Sequence, residues 1–495
     1  MSIQQIPGLM GRQPTSEIPQ SSPCQGSGSP QPFEQEAGDQ AGLSPLGQSA
    51  QGGAQELIPA LVALMTKLVE LLSMLTGQKQ GDGGGGAEGK VPPQGGENQG
   101  KVAHQGEGAQ GKAPKASGAP ASAPTPSASK PAPKPGDNPG HEYYASPNGS
   151  DSGDGSAGNP WSLNKANQSA QAGDTVFFRG GTYNGQLKPA NSGSEGKDIT
   201  FAAYPGERPT IDGTGVNVPG WSGLVDIRDK SNIRISGFNI QNSQWAGIYA
   251  DNSSNITADR NYISDTRSSG ILMANGSNYV ADGNELNHAS MGTPGGGVDG
   301  RGVQIPTNQE QISFQNAQGF EIKNNNIHDG GQSGGAEGIV LKMGTSNGTV
   351  HDNAVTNVQS TGIYADAYSK SVGNIEIYGN KLTNTGTNGI GVSGETGGSA
   401  HDIDIHDNVI SGLSDGAGIR IPEYAQPGAN GQIQNIKVHH NEVSNSAIGV
   451  DLGYWTDAHI DGLTVQDNTL RNNKTPIQEN NTNISNKNVG NNTIQ

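Results

Sequence analysis

Residues 375–411 read IEIYGNKLTNTGTNGIGVSGETGGSAHDIDIHDNVIS and contain one short pattern twice. Each copy has an alternating apolar stretch, IEI at 375–377 and IDI at 403–405, and then an Asn followed two positions later by Leu or Ile. The two asparagines, Asn380 and Asn408, stand 28 residues apart, and Gly389 begins a third apolar stretch between them. Three short strand patterns in every repeat of this length are typical of a parallel β-helix, in which each repeat forms one coil.

The same pattern continues through most of the chain. The Asn element recurs at spacings of 23, 41, 28, 27, 28, 33 and 27 residues, at Asn261, Asn284, Asn325, Asn353, Asn380, Asn408, Asn441 and Asn468. The Gly element recurs with it, at Gly247, Gly270, Gly302, Gly338, Gly362, Gly389, Gly418 and Gly449. Self-similarity at this period indicates stacked coils. Asparagines at a turn can use left-handed geometry and stack as an amide ladder, so we interpret this column as structural.

Composition divides the chain into three parts. Residues 1–80 are rich in Gly and Gln, except at 56–76, where Leu at three- and four-residue steps predicts an amphipathic helix. Residues 81–140 are rich in Gly and then in Pro and Ala, which predicts a disordered linker. Residues 141–495 carry the repeat, and for them we predict an all-β, right-handed parallel β-helix. Only 31% of the residues are hydrophobic, which suits a disordered region followed by a repeat with a thin core.

Charge and targeting signals narrow the function classes. The formal net charge of -17 argues against non-specific nucleic-acid binding, which needs a basic surface. The first residues lack a basic start followed by an apolar run, so we do not expect a Sec-type signal peptide. The single cysteine, Cys24, excludes an internal disulfide. The helix at 56–76 has two interpretations, self-association in an oligomer or insertion into a membrane interface.

Two stretches carry a family resemblance. Residues 143–183 read YYASPNGSDSGDGSAGNPWSLNKANQSAQAGDTVFFRGGTY, and residues 199–213 read ITFAAYPGERPTIDG. They resemble the N-terminal cap and first coils of β-helix polysaccharide lyases, above all the lysine-base pectate lyases and the related alginate and chondroitin lyases. Leu163, Ala166 and Ala170 lie on one helical face that would cover the open end of the solenoid.

The layout as a whole is similar to harpin-type proteins of plant-associated bacteria. These are Gly-rich, acidic and poor in cysteine, and some carry a pectate-lyase-like domain after a linker. The resemblance implies type III secretion without a cleaved signal peptide, and a location outside the bacterium in the host cell-wall space.

Strand alternation predicts which side chains point outward from the Gly element. The second and fourth residues after each Gly stack from coil to coil, which brings Lys342 one strand from Asp366, close to Tyr364, and three strands from Arg420. The same register places Gln304 in the column, and the long insert that precedes it contains Arg301. These residues predict a groove for an acidic sugar. The alternative for Lys342 is an ordinary ion pair with Asp366 on a solvated face.

The resemblance also implies roles. The stretch GIVLKMG around Lys342 is similar to the one that carries the catalytic lysine. From the register we predict Tyr364 and Arg420 as its catalytic partners, and Arg301, Gln304 and Asp366 as substrate-binding residues. Glu337 stands five residues before Lys342, like a calcium-binding Glu of the alginate and chondroitin lyases, so Glu337 and Asp366 are the expected calcium ligands.

The chain also departs from these families. The alginate and chondroitin lyases have a second acidic residue two positions before the calcium-binding Glu, where this chain has Gly335, and an arginine about one coil after the lysine, which is missing here. The lysine-base pectate lyases bind calcium with an Asp-Asp-Gly cluster, which does not occur in this chain. A base lysine would also need a lowered pKa, which partial desolvation or a nearby cation such as Arg420 or bound calcium would provide. On the second outward face, His351, His406 and His439 would bind a metal or carry protons, or do neither.

Together these features predict a secreted protein that binds an acidic polysaccharide, pectate first, and cleaves it by β-elimination. A different class, a cell-wall-binding module without catalysis, accounts for the missing acidic cluster and the missing arginine. A third possibility is a translocation helper whose N-terminal helix acts on membranes, with the β-helix as an anchor.

Overall fold

The structure is a computed structural model, and it describes residues 128–137, 140–292, 297–298, 304–305, 309–331, 337–424, 431–453 and 458–495. These residues form a right-handed parallel β-solenoid, so the fold class predicted from the sequence is confirmed. The predicted helix at 56–76 and residues 1–127 in general lie outside the described residues. Within the described ranges, no helix has the length and apolar character needed to cross a membrane.

The first part of the solenoid contains one short helix, α1 (Leu163–Ser169), and the strands β1 (Glu142–Ser150), β2 (Thr175–Phe178), β3 (Gly181–Asn184), β4 (Ile199–Ala203), β5 (Pro209–Asp212), β6 (Gly223–Asp226), β7 (Ser231–Ser236), β8 (Asn239–Gln241), β9 (Ala246–Asp251), β10 (Ser254–Asp259), β11 (Tyr262–Ser264), β12 (Ile271–Asp282), β13 (Glu285–Asn287), β14 (Gly297–Val298), β15 (Gln304–Ile305), β16 (Ile312–Lys323) and β17 (Asn326–His328).

The second part contains β18 (Ile339–Lys342), β19 (Ser346–His351), β20 (Ala354–Thr356), β21 (Ile363–Asp366), β22 (Val372–Tyr378), β23 (Lys381–Thr383), β24 (Asn388–Ser393), β25 (Ser399–His406), β26 (Val409–Ser411), β27 (Ala417–Arg420), β28 (Gln432–His439), β29 (Glu442–Ser444), β30 (Ile448–Asp451), β31 (His459–Gln466), β32 (Thr469–Arg471), β33 (Thr475–Gln478), β34 (Ile484–Gly490) and β35 (Thr493–Ile494). A 3-10 turn, Glu395–Gly397, follows β24.

The coils contribute strands to three parallel ladders. The front ladder runs through β6, β9, the start of β12, the start of β16, β18, β21, β24, β27, β30 and β33. The side ladder runs through β1, β2, β4, β7, β10, the ends of β12 and β16, β19, β22, β25, β28, β31 and β34. The back ladder is the 12-stranded sheet that begins with β3 and ends with β35. Because neighbouring coils are about 4.8 Å apart, residues of one column stack directly along the solenoid.

The asparagine column lies inside the solenoid and forms the predicted ladder. Asn380 is fully buried, and its Nδ2 donates to Oδ1 of Asn408 at 2.9 Å and to the carbonyls of Val350 and Tyr378. The other members repeat this pattern at 2.9–3.0 Å: Asn261, Asn284, Asn325, Asn353, Asn408, Asn441 and Asn468, the last of which donates to Asn492. The structural interpretation of these asparagines is therefore confirmed.

The left-handed backbone expected for the asparagines belongs to the residues before them. Arg260, Asn324, Asp352 and Asp407 have φ between 50° and 56°, and Gly379, which precedes Asn380, has φ 64°. The sharp turn thus falls one residue earlier, and the following asparagine uses its side chain to bridge two coils.

The N-terminal end of the solenoid is covered by α1. Ser162 caps this helix, because its hydroxyl accepts from the backbone N–H of Lys165 at 3.0 Å. Ala166 and Ala170 are buried, and Leu163 packs against the same core. The covering face predicted from the sequence is confirmed.

One coil departs from the predicted register. The Gly302 pattern placed Gln304 in the outward front column, but β15 pairs antiparallel with β14 in a separate hairpin. Ser313 and Gln315 of β16 occupy the stacked positions, opposite Leu272 and Ala274 on one side and Val340 and Lys342 on the other. The sequence GVQI at 302–305, which lies within the insert, has the same Gly and apolar pattern as the front-ladder strands. The front ladder is instead continued by ISFQ at 312–315.

Candidate functional site

The candidate site lies on the outer side of the front ladder, at β16, β18, β21 and β24. Lys342 is directly opposite Asp366 on the neighbouring strand, and Val340 is opposite Tyr364, as the sequence register predicts. Arg420 follows in the Tyr364 column, where Gly391 separates the two residues. The predicted arrangement of Lys342, Asp366 and Tyr364 on one face is thus present.

Lys342 is covered rather than solvated. Its side chain is 13% exposed, and Nζ donates to Oε1 of Glu310 at 2.5 Å. Burial by itself would lower the pKa of Lys342, but Glu310, with Asp366 and Glu337 beyond it, outweighs burial and raises that pKa above its usual value. In the same pair burial opposes ionisation of Glu310, and Lys342 nevertheless lowers the pKa of Glu310. The pair is therefore held as ammonium and carboxylate.

Asp366 occupies the opposite ionisation state. Its side chain is buried, and Oδ1 has no hydrogen-bond partner among the described residues. Burial first, and then the negative charge of Glu395, raise the pKa of Asp366 well above its usual value, although Lys342 acts against them. The raised pKa favours the protonated, neutral form of Asp366, which lies opposite Lys342 on the neighbouring strand.

Tyr364 lies beneath the surface of the same face. Its hydroxyl donates to Oε1 of Glu395 at 2.5 Å, and only 2% of the residue is exposed. Burial, together with the charges of Asp366 and Glu395, raises the pKa of Tyr364 well above its usual value. The phenol therefore keeps its proton and is suited to donate it, not to accept one.

Three of the carboxylates around Lys342 and Tyr364, namely Glu310, Glu395 and Glu423, were not singled out from the sequence. Glu310 and Glu337 share one position, two residues before the first Ile of their strands, and the repeated patterns EQI and EGI could have identified that pair. Glu395 and Glu423 come from segments that follow β24 and β27, and no spacing predicts them. Ser360 Oγ donates to Glu337 at 3.1 Å, and Thr361 Oγ1 donates to Glu423 at 2.5 Å. We refer to Glu310, Glu337, Asp366, Glu395 and Glu423 as the carboxylate cluster.

The remaining predicted site residues lie apart from this cluster or outside the described residues. Arg420 Nε donates to Asp451 Oδ2 at 3.0 Å, and three strand spacings, roughly 14 Å, separate it from Lys342. Arg420 is therefore not the nearby cation that would lower the pKa of Lys342. Arg301 lies outside the described residues, and only the backbone of Gln304 is described.

A second ionic group lies on the same face four coils towards the N-terminus. Arg228 binds Asp226 through two hydrogen bonds of 2.7 and 2.8 Å, and its guanidinium carbon is 5.8 Å from the ring centre of Tyr249. Lys188 approaches the same carboxylate at 3.3 Å, and its side chain is 57% exposed. Basic groups are therefore spaced along the front ladder, each paired with an acid.

The histidines of the second outward face form a stack instead of a scattered set. The rings of His351, Tyr378, His406 and His439 follow one another at centroid distances of 4.8, 5.1 and 5.1 Å and lie within 4° of parallel. His439 Nε2 contacts Asp404 at 2.8 Å, and that hydrogen bond raises the pKa of His439. No group of three or more His, Cys, Asp or Glu side chains in the described ranges is arranged to hold a metal ion.

Comparison with known proteins agrees with this architecture. The parallel ladders and the buried asparagine ladder define a right-handed parallel β-helix. Residues 143–356 match the family model described as the Pel9A-like right handed beta helix region. The structure of a hyperthermoactive exopolygalacturonase from Thermotoga maritima aligns with a TM-score of 0.52 and 13% identity, over 67% of this chain and 85% of that chain.

Two further similarities were found. The crystal structure of the pectate lyase Pel9A aligns over 70% of this chain and 78% of its own, with 15% identity and a TM-score of 0.42. An uncharacterized protein of Bacillus subtilis (strain 168), YwoF, is 41% identical over 134 residues, which are 25% of this chain and 29% of that protein. The chain thus matches less than a third of the length of this curated relative.

Proposed function

We propose that the β-helix binds an acidic polysaccharide, pectate first, along its front ladder and cleaves it at the Lys342 group. The observation that supports this most strongly is the combination on one face of a buried ammonium, a buried carboxylic acid without a partner at Oδ1, and a phenol that keeps its proton. Buried groups of opposite ionisation are costly to a fold and concentrate at functional sites. The paired arginines and lysines along the same face would bind the carboxylates of the polymer.

In the elimination route, Lys342 is the base that removes the proton next to the uronate carboxylate, and Tyr364 or Asp366 protonates the departing oxygen. The raised pKa of Lys342 opposes this role as long as Glu310 and its neighbours remain charged. A substrate would therefore have to separate Lys342 from Glu310 before the amine can lose its proton. If the lysine stays charged, it would instead neutralise the substrate carboxylate, which also assists proton removal.

A second reaction, hydrolysis of the glycosidic bond, is favoured by the carboxylate cluster itself. Burial and Glu395 raise the pKa of Asp366, whereas Lys342 lowers the pKa of Glu310. Two carboxyl groups whose pKa values are shifted in opposite directions take the roles of proton donor and base in glycoside hydrolysis. Asp366 would protonate the leaving oxygen, and Glu310 would activate water or attack the sugar carbon directly.

Calcium remains a prediction from the sequence. Glu337 and Asp366 offer the oxygen donors that calcium prefers, and Asp366 Oδ1 has no partner in the described part of the chain. However, the described residues do not bring three such ligands together, so we derive no step through the ion. Dependence of activity on added calcium, and its loss with a chelator, would test the prediction.

Two alternatives belong to other classes. The front ladder would serve a non-catalytic cell-wall-binding module equally well, because ion-paired arginines bind sugars without cleaving them. A type III translocation helper acting through residues 56–76 on membranes, or self-association through them, concerns residues outside the described ranges. Export by that route to the host cell-wall space is likewise a proposal.

The test is a screen of the full chain on polygalacturonate, alginate and chondroitin, with calcium or with a chelator. Ultraviolet absorbance reports the unsaturated ends that only elimination produces, and a reducing-end assay reports both reactions. New reducing ends without absorbance would select hydrolysis. Binding to these polymers without either signal would select the binding module and contradict cleavage.

Lys342→Arg separates the roles of the lysine. Arginine keeps the positive charge but does not give up its proton. Elimination with Lys342 as base should fall by about 10²- to 10⁴-fold in this variant, whereas a purely electrostatic role should be largely retained. Lys381→Arg, at an exposed lysine of the back ladder, is the matched control.

A further inference from the structure

The segment before β1 lies on the outer side of the side ladder, although the composition of residues 81–140 predicts a disordered linker. Residues 128–137 are described, and nearly all of them are exposed, so the segment is laid on the surface and not buried in it. Ser129 contacts the coil of Asp282, and the chain then passes the coils of Arg260 and Arg234 on its way to β1. It therefore runs along the solenoid axis, across the strands.

Two arginines hold this segment by its backbone. Arg260 Nη1 donates to the carbonyl of Lys130 at 2.8 Å, and Arg234 Nη2 donates to the carbonyl of Pro131 at 2.7 Å. Each guanidinium also approaches the other carbonyl at 3.4 Å. At the upstream end, Ser129 Oγ donates to Asp282 Oδ1 at 2.9 Å. We call Arg234 and Arg260 the arginine pair.

The guanidinium groups of the arginine pair are oriented by residues of the solenoid itself. Arg234 is nine-tenths buried, and its Nε and Nη2 donate to the two carboxylate oxygens of Asp259 at 2.9 and 3.1 Å. Arg260 bridges to the same Asp259 and donates to Ser236 Oγ at 3.2 Å. Because the planar guanidinium groups are already oriented, little further ordering is needed for them to bind a ligand.

The chemistry of the segment suits this surface. The residue before a proline is restricted to extended conformations, and proline itself has no N–H that would need a partner. In an extended polyproline-type chain the carbonyls project outward without internal hydrogen bonds, so they are available to external donors. Lys130 adds a weak contact, since its Nζ is 3.5 Å from Asp198 in an exposed position.

From these contacts we infer that the side ladder carries a peptide-docking site, the arginine pair with Asp282, which binds an extended Ser-Lys-Pro segment and is occupied by Ser129–Pro131 of the same chain. The contacts are few and only partly buried, so docking is reversible and depends on the high effective concentration of a tethered segment. As a consequence, the described chain already contacts the solenoid at Ser129, thirteen residues before β1 begins at Glu142. The site is on a different face from Lys342 and is independent of the proposed catalysis.

The test uses the full chain with a nitroxide label at Ala128→Cys, in a Cys24→Ser background because Cys24 is the only cysteine. Arg260 has φ 55°, a conformation that asparagine tolerates and that Asn324 adopts at the equivalent turn, so Arg260→Asn removes the guanidinium without straining the backbone. Arg267→Asn, at an exposed arginine on another turn, is the control.

We expect slow label motion in the background chain and in the control, and a several-fold shorter rotational correlation time in Arg260→Asn. The double variant Ser129→Gly with Pro131→Gly leaves the solenoid unchanged but removes the Ser129 hydroxyl and the restraint of proline on an extended backbone, so it should also shorten the correlation time. Equal label motion in the background chain and in both of these variants would overturn the docking site. Thermal midpoints within experimental error of each other would show that the solenoid itself is unchanged.

Discussion

Lys342 and Asp366 face each other across one strand spacing, and their surroundings hold one of them charged and the other neutral. The ion pair of Lys342 is made with Glu310, which precedes the strand on the opposite side. A buried ion pair contributes little net stability, because desolvation of both groups offsets their attraction, but removal of one partner leaves the other charge buried. Substitutions at these positions therefore affect stability and activity in different ways.

Lys342→Met should lower the free energy of unfolding by about 3 kcal/mol, because it leaves Glu310 buried without its counter-ion. The double variant Lys342→Met with Glu310→Gln should recover most of that loss, since neither charge remains. Denaturant titration of the two variants beside the wild type measures both effects. A single variant as stable as the wild type would show that the pair is solvated.

Asp366→Asn should raise stability at neutral pH while it reduces activity, if Asp366 is the proton donor. A carboxyl group whose folded-state pKa is raised binds more protons when folded, so stability falls as pH rises from about 4 towards the folded pKa. The variant should lack this decline, and its thermal midpoint at pH 7 should exceed that of the wild type by about 2 °C or more.

Thermal midpoints between pH 4 and 8 measure this difference. Asp415→Asn, at an exposed aspartate, is the matched control and should follow the wild type throughout. Parallel midpoint curves for Asp366→Asn and the wild type would mean that Asp366 is ionised in the folded protein.

The strands of this solenoid are short, and the asparagine ladder connects one coil to the next at the turn between the side and back ladders. Each rung is bonded in both directions: Asn380 donates to Asn408, and its Oδ1 accepts from the backbone N–H and Nδ2 of Asn353, both at 3.0 Å. Because these groups are buried, a donor or acceptor that loses its partner in the ladder is left without a hydrogen bond.

Asn380→Ala should therefore destabilise the chain by about 2–4 kcal/mol, since it leaves polar groups of both adjoining coils without partners. Asn326→Ala, at an exposed asparagine of β17, should change stability by less than about 0.5 kcal/mol. The measurement is the free energy of unfolding by denaturant. Equal losses in the two variants would mean that the ladder follows from coil stacking and does not stabilise it.

The same elements show what could be predicted from the sequence. The alternation of Ile and polar residues and the spacing of the asparagines identify the coils and the register of Lys342 with Asp366, because both follow from local strand geometry. The buried ion pair of Lys342 could not be predicted in this way, since its partner Glu310 stands at the end of an insert. The contacts of Glu395 with Tyr364 and of Glu423 with Thr361 likewise come from segments outside the strands. A local pattern also misled at Gln304, where a two-residue strand resembled a coil.

At the scale of the whole molecule, the change from a Pro/Ala-rich segment to a hydrogen-bonded solenoid predicts where a protease acts. From composition alone the resistant fragment would begin near Tyr143. Because Ser129, Lys130 and Pro131 are bonded to the side ladder, we expect its first residue upstream of Ala128 instead, since cleavage requires the backbone to leave the surface. Mild digestion with a non-specific protease and mass measurement of the fragment test this, and a fragment that begins at 138–143 would contradict it.

The asparagine ladder allows insertions and deletions between its members. Asn261 and Asn284 are 23 residues apart and Asn284 and Asn325 are 41 apart, yet both pairs of amides meet at 3.0 Å. The length of chain between two rungs is thus free to vary while the rungs stay in register. A dozen or more codons gained or lost between them would add or remove a loop at the rim, and every downstream coil would keep its neighbours.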